Sequence, residues 1–269
     1  MRAKLKSSDC VGSTISGEHF IYEHTFFFVK VGVTQCYDGS KTYTFKSGDF
    51  GLVRKNRLSK YSKEKDNKAA TTFIIFDEVF LKKFQQRYTP ELTAFKSNET
   101  FLRIAKNELL SNFIQSLTPY YNSTGKIDEI FADLKREELL LIILKLQPEL
   151  SGVFFDFGIP EKINLEAFMN KNFMFNINIE RFAYLTGRSL SAFKRDFQSI
   201  FSETPNRWLV KRRLQEAYYL IEKKNRRPSD FYLELGFETL SHFSYAFKKQ
   251  FKITPSELAE QDKNKMTGR

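Results

Sequence analysis

The chain has 269 residues, enough for one large domain or two ordinary ones, and a formal net charge of +11. Two cysteines, Cys10 and Cys36, are too few for a disulfide framework and point to reduced thiols. The opening "MRAKLKSSDCVGSTISGEHF" has no apolar core of signal-peptide length, and "LLLIILKLQPEL" from Leu139 is broken by Lys145 and Pro148, too short to span a bilayer. The expectation is a soluble, cytoplasmic protein with no membrane contact.

From about His24 to Phe76 the pattern is that of strands. "HTFFFVKVGVTQCYDG" and "KTYTFKSGDFGLVRK" are rich in aromatic and β-branched residues, with breaks at Gly39, Gly48 and Gly51. "YDGSKTYTF" predicts a hairpin turning at Asp38-Gly39. The polar run "KNRLSKYSKEKDNK" reads as a solvated loop, or alternatively as a patch for a protein partner. "AATTFIIF" is the next strand.

After Glu78 the period becomes helical. "ETFLRIAKNELLSNFIQSL" and "KIDEIFADLKREELLLIILKLQ" predict two amphipathic helices separated by "TPYYNSTG". Leu139 to Leu144 is apolar nearly all round, which fits either burial beneath the strands or a helix pair that forms a homodimer. "QPELSGVFFDFGIPEK" interrupts the pattern with two prolines and two glycines, giving the best domain boundary. The expected division is 1–150 (strands about 15–95, helices about 98–147), a linker 151–161, a helical domain 162–262 and a tail 263–269.

The helical domain contains one design twice. Leu190, Phe193, Phe197 and Phe201 form a single buried stripe on a helix, and Leu240, Phe243, Phe247 and Phe251 repeat it. Each stripe follows a shorter helix ending in a glycine, Gly187 or Gly236, and an N-cap, Ser189 or Thr239. Each ends in Thr-Pro, at Thr204-Pro205 and Thr254-Pro255, which predicts a cap and an N1 proline for the next helix. That is the pattern of two helix-turn-helix modules.

About a quarter-turn from the first stripe lie Ser191, Lys194, Arg195 and Gln198, donors of the kind that reach base edges. The second copy offers Ser241, Ser244, Tyr245 and Lys248 there. Between the copies, "NRWLVKRRLQEAYYLIEKK" predicts a long helix with Trp208, Leu209, Leu214, Ala217, Tyr218 and Ile221 packing on both modules. Its Arg207, Lys211, Arg212 and Arg213, with Arg188 and Lys248, are candidates for phosphate contact, against the alternative of a solvated basic face. The charge agrees with an anionic partner: residues 161–269 hold 20 Lys+Arg against 13 Asp+Glu, a net of +7, and the longer remainder carries only +4.

These residues, above all "GFETLSHFSYAFKKQFKITP", resemble the AraC/XylS family of bacterial transcription regulators over about residues 162–258. The resemblance implies two modules on a linker helix, inserted into adjacent major grooves. It implies base contacts from Ser191, Lys194 and Arg195, and from Ser241, Ser244 and Tyr245. Two positions depart from the family: Tyr245 stands where Arg is common, and Tyr232 where a small Ala is usual, matching Ala183. The N-terminal part looks like the small, cupin-like β-barrel sensor that often precedes such modules, with "FKSGDFGLVRK" its nearest match. The fold class expected is therefore α+β in two domains. The implied partners are double-stranded DNA, RNA polymerase, and either a small effector or a regulatory protein. An effector pocket would draw on aromatics such as Phe26, Phe28, Tyr37 and Tyr43, although aromatics in a small barrel more often fill its core than wall a ligand.

Two other classes compete with this reading. A metal-binding cupin enzyme uses paired histidines one residue apart, which His19, His24 and His242 cannot supply, and a repair alkyl transferase needs an activated cysteine. No cofactor, metal site or catalytic residue is expected. An architectural DNA-binding protein without effector control fits less well, because the two polar faces differ instead of being uniformly basic.

Overall fold

The structure, a computed structural model, describes residues 5–8, 20–62, 69–95, 97–121, 127 and 129–267. It divides into two compact units, the first with Ile21–Gly158 and the second with Ile159 onward, and Phe20 is grouped with the second. Cys10, His19 and the 63–68 part of the polar run lie outside the described residues.

The N-terminal unit is built on strands β1 (Leu5–Ser8), β2 (Phe20–Ile21), β3 (His24–Val31), β4 (Val33–Tyr37), β5 (Thr42–Lys46), β6 (Phe50–Val53), β7 (Arg57–Leu58), β8 (Lys60–Ser62), β9 (Ala70–Phe76) and β10 (Phe101–Ile104). They make a five-stranded sheet in the order β1-β9-β3-β6-β10, a three-stranded sheet β5-β4-β8 and a two-stranded pair β2-β7. Among the described residues these sheets do not close into one barrel, so the small-barrel detail of the expectation is not seen. Between β4 and β5, Asp38 Oδ1 accepts from the backbone N–H of Ser40 and Lys41 at 2.9 and 3.0 Å, so the aspartate side chain itself shapes the turn.

Strand β3 explains how the sheet is covered. Successive side chains point to opposite faces. Phe26 and Phe28 pack in a cluster with Leu52, Ile74, Phe80, Phe84 and the helices, whereas Phe27 and Val29 join Cys36, Phe45, Val53 and Phe101 between the sheets. Tyr43 packs against that second cluster, and Tyr37 lies on β4 in neither one. The four aromatics suggested for an effector pocket thus do not line one space, because strand alternation sends them to different faces. The layer between the sheets is filled by rings, with Phe27 and Phe45 edge-to-face at 4.7 Å between centroids and Tyr43 5.0 Å from Phe101.

Two stretches differ from expectation. Residues 101–104 are strand, pairing antiparallel with β6 from Phe101↔Val53 to Ile104↔Phe50. Phe101 faces one cluster while Leu102 and Ile104 face the other. With Phe101, Leu102 and Ile104 buried and only Arg103 exposed, the strand shows no regular alternation, and periodicity alone cannot separate it from a helix. Part of the presumed polar loop, Arg57–Leu58 and Lys60–Ser62, is also strand, with Leu58 and Ser59 buried.

Helices α1 (Glu78–Tyr88), α2 (Glu108–Ser116) and α3 (Glu129–Leu146) pack on the sheet, followed by a 3-10 turn (Pro148–Leu150) and the short α4 (Ser151–Phe154). Asp77 caps α1 by accepting from Phe80 N at 2.9 Å, and its other oxygen receives Arg136 of α3 at 2.6 Å. Leu139, Leu140 and Ile143 of α3 are fully buried, while Ile130, Phe131, Leu134 and Leu141 are exposed. Leu150, Val153, Phe154 and Phe155 are buried in the same core. Residues 151–155 therefore belong to the N-terminal unit and are not linker: their apolar side chains outweigh the Pro and Gly signals.

The C-terminal unit is helical throughout: α5 (Leu165–Asn172), α6 (Ile179–Leu185), α7 (Leu190–Phe201), α8 (Pro205–Lys224), α9 (Pro228–Phe231), α10 (Leu240–Phe251) and α11 (Pro255–Thr267). Because α11 runs to Thr267, most of the expected tail is helix. Among the described residues, no helix is long and apolar enough to cross a membrane.

Candidate nucleic-acid interface

The two helix-turn-helix modules, α6–α7 and α9–α10, carry the same turn. In the first, Gly187 N donates to Tyr184 O and Arg188 N to Ala183 O, each at 3.0 Å; in the second, Gly236 N donates to Leu233 O at 3.0 Å and Phe237 N to Tyr232 O at 3.1 Å. Both glycines hold positive φ, +66° and +83°, and a Cβ on Gly187 would sit 2.4 Å from the Glu161 carbonyl carbon. The conformation and the close approach each demand glycine. Tyr232 occupies the place of Ala183 with its backbone bond intact.

The recognition helices begin alike. Ser189 Oγ accepts from Ala192 N at 3.3 Å, and Thr239 Oγ1 from His242 N at 3.2 Å. They also end alike, with Ser202 and Lys252 in the left-handed region and their N–H groups returned to Gln198 O and Lys248 O. Phe193 and Phe197 are fully buried on α7, as are Phe243 and Phe247 on α10. The linker helix α8 supplies one large aromatic ring to each stripe. Trp208 lies 4.7 Å from Phe201, and Tyr218 lies 5.0 Å from Phe251.

One expected match is missing. Thr254 and Glu257 form a reciprocal capping box, Thr254 N donating to Glu257 Oε2 at 2.6 Å and Glu257 N to Thr254 Oγ1 at 3.2 Å. Thr204 makes no side-chain capping bond. Its N3 position holds Arg207, which cannot accept the return bond.

Packing the phenylalanines inward leaves the opposite faces free. Ser191, Lys194, Arg195 and Gln198 are exposed on α7, and Ser241, Tyr245 and Lys248 on α10, with Ser244 half-buried. The Arg195 side chain is 78% exposed and pairs with Asp196 at 3.2 Å; Tyr245 is 69% exposed. Arg207 is exposed, Lys211 pairs with Glu203 at 2.6 Å, and the Arg212 guanidinium lies over the Phe173 ring at 4.6 Å.

Two candidates for phosphate contact face inward. Arg188 donates to Asp196 at 3.1 Å, to Ile163 O at 2.9 Å and to Thr186 O at 2.7 Å. Its guanidinium stitches the turn to the recognition helix and is not open to DNA. Arg213 is buried and donates to Phe173 O and Phe175 O at 2.8 Å and to Gly236 O at 3.0 Å. Burial lowers its pKa to about 10, which leaves it charged at neutral pH. The sequence held a signal for this: Leu209, Arg213, Ala217 and Ile221 recur every fourth residue, so Arg213 sits in an apolar stripe. Asp196 was missed as an anchor; Arg188 and then Arg195 hold its carboxyl below the usual carboxylate range.

Among the described residues, the histidines and the cysteine of the rival readings sit in separate surroundings. His24 is buried edge-on against Phe154, and burial, with Lys55, Arg54 and Arg57 nearby, lowers its pKa to about 3. His242 is exposed on α10, in the other unit. Burial pushes the Cys36 thiol up to about 12, so it carries no thiolate at neutral pH.

Comparison with known proteins follows the same division. Residues 24–152 match the ExsA N-terminal regulatory domain, and residues 182–261 match a helix-turn-helix domain. The HTH-type transcriptional regulator ExsA of Pseudomonas aeruginosa is 25% identical over 225 residues, covering 81% of this chain and 80% of that protein. The virulence regulon transcriptional activator VirF of Yersinia enterocolitica is 23% identical over 249 residues, covering 88% and 90%. Among solved structures, apo ToxT from Vibrio cholerae aligns over 96% of this chain and 94% of its own, at 13% identity and a TM-score of 0.45. A regulatory domain of the ExsA kind and a doubled helix-turn-helix stand in one chain, and the protein belongs to the AraC/XylS family of transcription regulators.

Proposed function

We propose that the protein is a transcriptional activator that reads two adjacent major grooves of its operator with α7 and α10. The observation that carries this is the doubled turn: the same backbone hydrogen bonds set each recognition helix against its module, stripe inward and polar face outward. Ser191, Lys194, Arg195 and Gln198 contact bases from the first helix, and Ser241, Ser244 and Tyr245 from the second. Arg207, Lys211, Arg212 and Lys248 meet phosphates, Lys211 by leaving Glu203. Resemblance to a named activator over most of both chains supports activation, and hence contact with RNA polymerase in the cytoplasm.

Control enters through the N-terminal unit, from a small effector or a regulatory protein. The ring-filled layer between the sheets favours a partner on the surface. The exposed Ile130, Phe131, Leu134 and Leu141 on α3 support a homodimer through that helix.

Footprinting on a duplex selected by the full-length chain from a random pool tests the central claim. The expected result is two protected windows about 34 Å apart, one helical turn, that survive excess random duplex. Equal competition by random duplex overturns sequence-specific reading, and a single window overturns reading with both helices.

A further inference from the structure

We propose that Arg213 is a positioning residue that fixes the spacing and angle between the two recognition helices, and so gives the protein one preferred separation between its two operator elements. The inference rests on the two-groove reading above and adds the device that sets the distance.

The geometry is that of a clamp. Arg213 projects from the middle of α8, the helix shared by both modules. Two of its three bonds run to Phe173 O and Phe175 O, in the segment between α5 and α6 on the first module's side. The third runs to Gly236 O, in the turn of the second module. A guanidinium offers five N–H donors in a rigid plane, so three carbonyls bound to one side chain are held in a fixed relation. The approach is close: a Cβ on Gly236 would fall 2.8 Å from Arg213 Cζ and 3.0 Å from Met174 O. Gly236 therefore has a second task beyond its positive φ, letting the second turn come up against the first module. A further strap crosses the same seam, from Asn176 Nδ2 to Glu238 Oε1 at 3.2 Å.

No salt bridge among the described residues involves Arg213; its partners are neutral carbonyls from the segment leading into α6 and from the second module's turn. A buried charge bonded to carbonyls on separate segments becomes costly if either segment moves away, since desolvated donors are then left unmade. The seam therefore resists both sliding and hinging. By contrast, the bonds of Arg188 run to Asp196, Thr186 O and Ile163 O and those of Arg226 to Glu234, and none of them reaches the other module's turn. The bonds of Arg213 instead join the segment between α5 and α6 to the turn of the second module.

DNA supplies the measurement. Inserting one base pair between two groove elements moves them apart by about 3.4 Å and rotates them by roughly 35°. A protein with fixed recognition helices cannot follow without losing contacts, whereas a hinged one can. The test uses the full-length protein and the selected duplex, together with versions carrying one inserted or one deleted base pair between the two footprinted windows. Wild type is expected to bind the altered spacings roughly tenfold to a hundredfold more weakly, the scale of losing one or two specific contacts. Arg213→Lys keeps the charge but cannot bridge three carbonyls in one plane. It is expected to bind the native spacing more weakly and to shrink the spacing penalty at least threefold.

Glu238→Ala, which cuts only the exposed strap, serves as the milder variant should Arg213→Lys fold poorly, and is expected to shrink the penalty in the same direction. A merely structural role lowers affinity for every spacing in the same ratio, and that outcome overturns the inference. If wild type itself shows no spacing penalty, the two-groove reading falls and the inference with it. If wild type keeps the penalty while both variants retain it in full, only the inference falls.

Discussion

In the first module Arg188 follows the turn glycine and its guanidinium reaches Asp196 on the recognition helix. In the second, Phe237 and Ala246 hold the equivalent places, and both pack into the module's apolar core. The backbone hydrogen bonds of the two turns are the same, so the fold accepts either a polar or an apolar stitch across this corner. The choice changes the surface. A charged stitch leaves Asp196 paired also with Arg195, the side chain proposed to read a base, whereas in the second module Tyr245 is exposed.

If scaffolds are shared and readings differ, core substitutions should be symmetric. Phe193→Ala and Phe243→Ala are each expected to destabilise the C-terminal unit by about 3–5 kcal/mol, the range for emptying a buried aromatic site. Trp208, the single tryptophan of the chain, packs on the first module and reports its unfolding in urea. With the modules joined through Arg213, Phe243→Ala should shift the Trp208 transition as far as Phe193→Ala does. A Trp208 midpoint left unmoved by Phe243→Ala would mean that the modules unfold separately.

Substitutions on the reading faces should be asymmetric. Arg195→Ala is expected to cost about 1–3 kcal/mol of operator binding if the side chain grips a guanine, and Tyr245→Ala less than about 1 kcal/mol. Gel-shift titration of both variants on the same duplex decides it. Equal losses would show that the second module reads as firmly as the first.

Much of this was legible because it repeats. Two stripes, two glycines and two caps define the modules by residue type alone, and the exposed face follows once the stripe is buried. What stayed hidden has particular physical causes. Phe101, Leu102 and Ile104 are buried on the two faces of the sheet and only Arg103 is exposed, so their short strand carries no regular alternation to betray it. Phe26, Phe28 and Tyr43 are all aromatic, but only the pleat decides which side of the sheet each fills. Arg188 and Arg213 read as phosphate ligands because a basic residue near DNA is assumed to face it; their carbonyl partners are 23 to 40 residues away or lie across a turn. The period of four that places Arg213 beside Leu209 and Ala217 was the overlooked clue.

The Thr-Pro stops give a smaller asymmetry in the other direction. Thr254→Ala removes a working capping box and is expected to cost about 1 kcal/mol, while Thr204→Ala, which loses no capping bond, should stay within about 0.3 kcal/mol. Urea midpoints for the pair measure this. Equal costs would imply that Thr204 takes up its cap in solution.

The last asymmetry lies in acid. Arg188 and Arg195 hold the Asp196 carboxyl below the usual carboxylate range, so the folded state releases this proton more readily than the unfolded chain. The sign follows: the contribution is complete above the unfolded carboxylate pKa of about 3.9 and disappears as pH falls through the lower folded value. The Arg188–Asp196 stitch thus works fully at neutral pH and fails only in strong acid. Asp196→Asn should remove that part of the pH slope and lower the urea midpoint seen by Trp208 at pH 7, with the gap between wild type and variant narrowing as pH falls below about 3.9. Glu257 is likewise held low, by the Thr254 backbone N–H, and keeps its share of the slope in the variant. If wild type and Asp196→Asn keep the same midpoint difference from pH 7 to pH 2, the stitch acts by packing and not by charge. The first module would then be fastened in the same way as the second.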